Sequence, residues 1–269
     1  MRLALIAVLL LAPAAASVSS ALVVVGDPNS SSYLEALDGF RDELGESVEI
    51  VSAGRPLPPG PHGVIVAFGG RAALRASKAG APLVVALAPA YRGADSSSMT
   101  VHVAMTPAPE RFAGFLSVAG VRRLLAVRAS TARAAFVRRA AEAGHPFGLE
   151  IEDGVLSGVE DLPRLLRGAD PRVDAIWLAP DPTVVTPEVF AAVREFSRAR
   201  AIPFFAPAAG LVSGEVRGEL TVSFRDCGRE AARAAREMLA GRPVAALIYP
   251  ARPQRVAPIV KSTIPAVSP

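Results

Sequence analysis

Residues 173–190 read VDAIWLAPDPTVVTPEVF, and the order of residue types in this stretch decides the fold. Asp174-Ala-Ile-Trp-Leu-Ala179 is an almost unbroken apolar run, as a strand covered on both faces of a parallel sheet requires. Pro180-Asp181-Pro182-Thr183 stops it, because proline has no N–H for a sheet ladder. Thr186-Pro187-Glu188 then has an N-cap hydroxyl followed by proline at the first helical position. The stretch predicts a strand, a tight loop and a helix. Asp181 follows the carboxyl end of the strand, where open α/β sheets place their ligands.

Working outward, the same unit recurs. Residues 21–25 predict a buried strand, and Ser30 or Ser31 caps a helix reaching Leu44, with Tyr33, Leu34, Leu37, Phe40 and Leu44 at helical spacing. Strands are expected at 48–51, 63–68 and 82–88, with a proline-rich loop at 56–61, Gly69-Gly70 as a turn and a helix over 71–79. A short strand at 100–105 precedes Thr106-Pro107, the first candidate boundary. A second set follows: helices near 110–118, 131–143, 159–166 and 187–199, and strands near 123–127, 149–152, 175–179 and 203–206. A late strand at 219–223, a helix over 226–239 stopped by Gly241 and Pro243, and a strand at 246–249 complete the pattern. The fold class predicted is α/β: two doubly wound, Rossmann-like lobes with a hinge and a central cleft.

Composition narrows the function. Of 269 residues, 51% are hydrophobic, which excludes a disordered chain. The net charge of +4 comes from scattered arginines without lysine and arginine blocks, so no nucleic-acid surface is expected. Arginines from Arg122 to Arg139 and from Arg229 to Arg236 are expected on solvated helical faces, some of them serving as a partner surface. Residues 1–21 have a positive start, an apolar centre and small residues at Ala14-Ala15-Ala16, as a signal peptide cut near Ala16 or Ala21 does. The apolar part is shorter than the about 20 residues a membrane span needs. No cysteine follows the cleavage region, so no lipoprotein is expected. Cys227, the single cysteine, is expected as a small buried residue.

The segments 174–188, 201–206 (Ala-Ile-Pro-Phe-Phe-Ala) and 226–243 (Asp-Cys-Gly-Arg-Glu through Gly-Arg-Pro) resemble the substrate-binding proteins of ABC transporters in the group called ABC_sub_bind. The resemblance is most specific over 174–243 and extends in order over most of the chain after the leader. It implies the type I periplasmic binding protein fold. It also implies a threading in which lobe 1 comprises 22–105 with 224–248 and lobe 2 comprises 106–223 with 249–269. The sequence departs from the group's pattern at Gly69-Gly70 and at Ala88-Pro89-Ala90, where polar residues are usual. Some relatives bind aromatic amino acids.

The candidate ligand-binding residues are Asp181, Thr183, Phe68, Gly69, Gly70, Ser130, Thr131 and Ala88. Asp181 is read either as a partner for a ligand ammonium or as a turn residue bonding its own backbone. Gly69 and Gly70 either receive an anion on backbone N–H groups or only permit a turn; Ser130 and Thr131 either cradle an anion or only cap a helix. Trp177, Phe68 and Phe205 suit a core, and Phe68 and Phe205 lie near enough to strand ends to touch a ligand. No catalytic or metal site is expected: Gly210-Leu-Val-Ser213-Gly214 is not a nucleophile elbow, and His62, His102 and His145 have no metal-ligand spacing. The function expected is an exported, monomeric solute-binding component that captures a small polar, amino-acid-like ligand for a membrane permease, without cofactor or chemistry. The alternative is a ligand-free or sensory envelope protein with a degenerate cleft.

Overall fold

The computed structural model describes residues 21–45, 48–89, 91, 93, 99–129, 134–180, 184–206, 218–219 and 222–250. Residues 1–20 and those from 251 lie outside them. Strands β1 (Ala21–Val25), β2 (Glu49–Ser52), β3 (Val64–Phe68), β4 (Leu83–Ala86), β5 (Thr100–Val103) and β11 (Leu247–Ile248) form one sheet in the order β11-β5-β4-β3-β1-β2. A second sheet has the order β10-β9-β8-β6-β7, from β6 (Arg123–Ala129), β7 (Glu150–Leu156), β8 (Ala175–Leu178), β9 (Phe204–Ala206) and β10 (Gly218–Glu219). Every recorded pairing is parallel. The apolar runs read from the sequence are these strands: all of β1, β3, β4 and β8 is buried.

The first sheet is covered on one face by α1 (Ser31–Leu44) and the late helix α7 (Phe224–Leu239), around Phe40, Phe68, Cys227 and Ala231. Here the helical backbones approach without side chains between them. A Cβ built on Gly39 would stand 2.0 Å from the carbonyl oxygen of Arg225, and one on Gly228 1.8 Å from that of Ala36. Along the rim, Arg225 and Arg229 reach Asp42, and Arg233 and Arg236 reach Glu43. The hydrogen bond from Arg225 holds the Asp42 carboxyl below its usual range. The arginines of α7 therefore stand on a solvated helical face, as expected, and also bind α1.

The other face of this sheet carries α2 (Gly70–Ala76) and the crossover 53–63, which runs from β2 to β3 without a helix and packs Ala53 and Leu57 on the core. The second sheet has α3 (Pro109–Val118) and α4 (Ala134–Gly144) on one face, around Trp177, Phe112 and Phe136. Its other face carries α5 (Leu162–Gly168) and α6 (Pro187–Arg200). The Phe112 and Phe136 rings stand 4.7 and 5.5 Å from Trp177, which is fully buried.

Local chemistry sets the ends of these elements. Thr186 accepts from Val189 N at 3.3 Å and caps α6 with Pro187 behind it, as the sequence predicts. Of the late strand expected at 219–223, Gly218–Glu219 is described as strand and 220–221 lie outside the described residues, and Ser223 caps α7, accepting from Asp226 N at 3.0 Å. β4 ends at Ala86, two residues early, where Leu87 takes φ 54°.

Candidate functional site

In a doubly wound parallel sheet, the chain leaves the strands in opposite directions at one point, and the carboxyl ends on either side of it leave a crevice. In the first sheet this point lies between β1 and β3, in the second between β6 and β8. In sequence, Phe68 ends β3 and the other candidate residues come after strands of these two sheets, Ala88 after β4. Gly69 and Gly70 follow β3, Ser130 and Thr131 follow β6, and Asp181 and Thr183 follow β8.

At the first point, Gly26 N donates to Phe68 O at 2.9 Å and Gly69 N to Ala86 O at 2.9 Å, carrying the ladder one residue past the strands. Tyr33, in the first turn of α1, lies over both glycines. A Cβ on Gly69 would fall 2.4 Å from the Tyr33 hydroxyl oxygen, and one on Gly26 3.2 Å from its ring. Gly69 also has φ 99°, a region that side chains rarely enter, so both its backbone and its neighbour demand glycine. Tyr33 is half-buried, and its hydroxyl has no hydrogen-bond partner among the described residues. The result is a phenol laid along the carboxyl edge of the sheet, with a free donor and acceptor.

Gly70 opens α2, and a Cβ there would meet nothing within 4 Å. α2 has seven residues and no side-chain cap, so its first N–H groups are unclaimed by side chains. Ala88 sits just beyond the strained Leu87, and its carbonyl accepts from Tyr91 N at 3.1 Å. Phe68 is completely buried, with its ring edge-on to Phe40 at 6.0 Å, so its side chain belongs to the core under α1 and only its backbone borders the crevice.

At the second point, Val127 and Leu178 are in register on β6 and β8. The segments bearing Ser130 and Thr131, and Asp181 and Thr183, therefore leave neighbouring strands. These four residues lie outside the described residues.

Two features of the edge escape a reading of the sequence alone. Tyr33 has the spacing of a core residue of α1, and only the adjacency of β1 and β3 puts it over the crevice. Arg128 was expected on a solvated helical face. It stands instead near the carboxyl end of β6, 5% exposed, with Nε and Nη2 donating to the two carboxylate oxygens of Asp153 at 2.7 and 2.6 Å and Nη1 to Ala129 O at 3.0 Å. Such a paired geometry lets a guanidinium remain charged in a buried place. A charge near the end of an apolar strand, two residues before Ser130, was the available signal. Arg123, also on β6, bonds Asp170 and Glu150, and Arg139 on α4 bonds Glu110 of α3.

Cys227 is buried, its Sγ 3.8 Å from Ala104 O, and burial pushes its thiol up to about 12, which leaves it unreactive at neutral pH. Among the described residues, no group of three His, Cys, Asp or Glu side chains can hold a metal ion, and no helix is long and apolar enough to cross a membrane.

No protein-family model matches the sequence, and no curated protein matches it. Solved structures do. An ABC domain from Streptococcus pneumonia in complex with L-Trp is similar at 14% identity and TM-score 0.56, over 86% of this chain and 90% of that one. A substrate-binding protein with adhesive properties from Clostridium difficile, in its ligand-free, open form, is similar at 12% identity and TM-score 0.57, over 87% and 90%. A LacI family transcriptional regulator from Bifidobacterium animalis subsp. lactis is similar at 14% identity and TM-score 0.51, over 90% and 97%. At such identities the likeness is one of fold, and transport proteins and regulators share it. With its two parallel sheets and the helices on both of their faces, the chain has the type I periplasmic binding protein fold.

Proposed function

We propose that the protein is the exported solute-binding component of an ABC transporter, capturing a small polar molecule between two lobes. Lobe 1 comprises 22–105 with 224–248, and lobe 2 comprises 106–223 with 249–269. The observation that carries this reading is Tyr33 lying over Gly26 and Gly69 at the β1/β3 crevice, a ligand-sized platform with an unclaimed hydroxyl where this fold class binds. The backbone of Gly69, Gly70 and Ala88 lines the same edge. Asp181 and Thr183, with Ser130 and Thr131, supply the polar side chains of the opposite lobe, and Asp181 pairs a ligand ammonium. Ligand contacts to both lobes at once stabilise the closed state over the open one. The residue pattern of 1–21 supports export, and the binding role requires only a monomer and a membrane permease to receive the solute.

An amino-acid-like ligand follows from Asp181 and an aromatic platform, and the L-Trp complex of the Streptococcus structure makes tryptophan the first compound to try. Amino acids, nucleosides and sugars are screened by thermal shift and then calorimetry. An amino acid is expected to bind one to one, with Tyr33→Ala weakening it by about tenfold or more, the loss of roughly 1.4 kcal/mol of aromatic contact. Binding of sugars alone removes the amino-acid assignment. Absence of any ligand removes the transport role in favour of an envelope interaction protein, which the loss of polar side chains at 69–70 and 88–90 also accommodates.

A further inference from the structure

In doubly wound folds a helix ordinarily joins successive parallel strands, but here β2 passes across β1 to β3 through the proline-rich crossover 53–63. The substitution leaves a cavity of about 360 Å³ between this crossover and the end of α2, bordered by Pro56, Pro58, His62, Arg75 and Lys78, with no acidic residue in its lining. α2 starts at the carboxyl end of β3 and ends near the amino end of β4, and His62 directly precedes β3. The cavity therefore lies toward the sheet edge opposite Gly69 and does not belong to the crevice described above.

Its charges are unbalanced. Arg123, Arg128, Arg172 and Arg225 each meet a carboxylate. Neither Arg75 nor Lys78 has an ion-pair partner among the described residues. Arg75 Nε is moreover buried without a hydrogen-bond acceptor. A desolvated guanidinium N–H without a partner is destabilising. His62 Nε2 donates to Pro58 O at 3.2 Å, which anchors the ring on the cavity wall and leaves Nδ1 uncommitted. The weak negative end of the short α2 accounts for a basic residue in its last turn. It does not account for a buried Nε or for a second cation beside it.

We propose that this cavity is a binding site for a small oxyanion, a phosphate or a carboxylate group, held by Arg75 and Lys78 and separate from the interlobe site. Arg75 presents a planar fork of donors to two oxygens, and Lys78 adds a point charge. The proposal is independent of what the crevice binds.

The test is calorimetric titration of the full chain with inorganic phosphate, repeated for Arg75→Gln, Lys78→Gln and Tyr33→Ala. Phosphate is expected to bind with one-to-one stoichiometry, about tenfold more weakly in Arg75→Gln and several-fold more weakly in Lys78→Gln, and equally well in Tyr33→Ala. The same titration with acetate reads the source of the anion: whichever of the two binds more tightly, and loses affinity in both variants, is the group recognised. Unchanged melting temperatures show that the variants fold, and Arg75→Lys, which retains the charge but not the fork, replaces Arg75→Gln if that variant does not. Absence of binding by both anions, or binding that the Arg75 and Lys78 substitutions leave unaltered, overturns the proposal. So does loss of phosphate affinity in Tyr33→Ala, which would move the anion to the crevice.

Discussion

Replacing Gly228 by alanine asks whether the α1/α7 contact holds the first sheet and its helices together. The new methyl carbon would lie 1.8 Å from Ala36 O and 3.0 Å from Phe40 N, both backbone atoms, which no rotamer change can move aside. Ordinary contact begins at 3.4 Å, so the helices must part by 3.4 − 1.8 = 1.6 Å at the crossing. A gap of that size forfeits much of the dispersion energy between Ala36 and Phe40 on one side and Cys227, Ala231 and Ala232 on the other. Overpacking of a close core costs about 1–3 kcal/mol, and a backbone collision belongs at or above the upper end. We expect a loss of about 3 kcal/mol or more, a fall in Tm of roughly 6–12 °C at this chain length. Gly39→Ala, with 2.0 Å to Arg225 O, behaves alike, and the double variant is less than additive because one displacement accommodates both methyls. Gly114→Ala in α3 is the control: no atom lies within 4 Å of its Cβ, and the gain in helix propensity stabilises by about 0.5–1 kcal/mol. Urea denaturation followed by circular dichroism measures all four variants. If Gly228→Ala stays within about 1 kcal/mol of the native chain, or moves in the same direction as Gly114→Ala, the close approach is not what organises the packing of α1 and α7 on the first sheet.

The remaining expectations concern charge and backbone. Hydrogen bonds from the Arg172 side chain and backbone, with Arg123 nearby, lower the Asp170 carboxyl from 3.8 to about 2, so its contribution to stability is complete above pH 4 and disappears as pH falls from about 4 toward 2. Denaturation of Asp170→Asn beside the native chain should show a stability gap at pH 6 that closes by pH 2, and a gap constant with pH contradicts this. Asp153→Asn removes the countercharge of buried Arg128 and should cost about 2–3 kcal/mol, below the figure for a fully buried pair because the Asp153 side chain is 39% exposed; an effect under roughly 0.5 kcal/mol would place Asp153 among ordinary surface partners. Ala201 ends α6 with φ 52°, and Ala201→Gly should raise stability by about 0.5–1 kcal/mol in a thermal melt, a decrease showing that its methyl group packs.

The strand–loop–helix rhythm was legible because a strand buried on both faces must be apolar throughout, whatever its neighbours, and because a cap hydroxyl such as Thr186 or a stop such as Pro180 acts within a few residues. Residues 173–190 thereby revealed the fold class and the strand that Asp181 follows in sequence. What the sequence could not show depends on which distant segments become neighbours. Tyr33 has the spacing of any core residue on α1, and becomes a crevice residue only because β3 lies beside β1. Arg128 has the look of a surface arginine until β7 brings Asp153, 25 residues away, against it. Gly39 and Gly228 read as two weak helix positions; their backbones meet only because α7 returns to α1, joining residues as far apart as Glu35 and Arg225, 190 positions along the chain. Periodicity and capping are properties of a short segment and survive in the one-dimensional sequence, whereas close approach, charge pairing and a crevice are properties of pairs that only the folded topology creates.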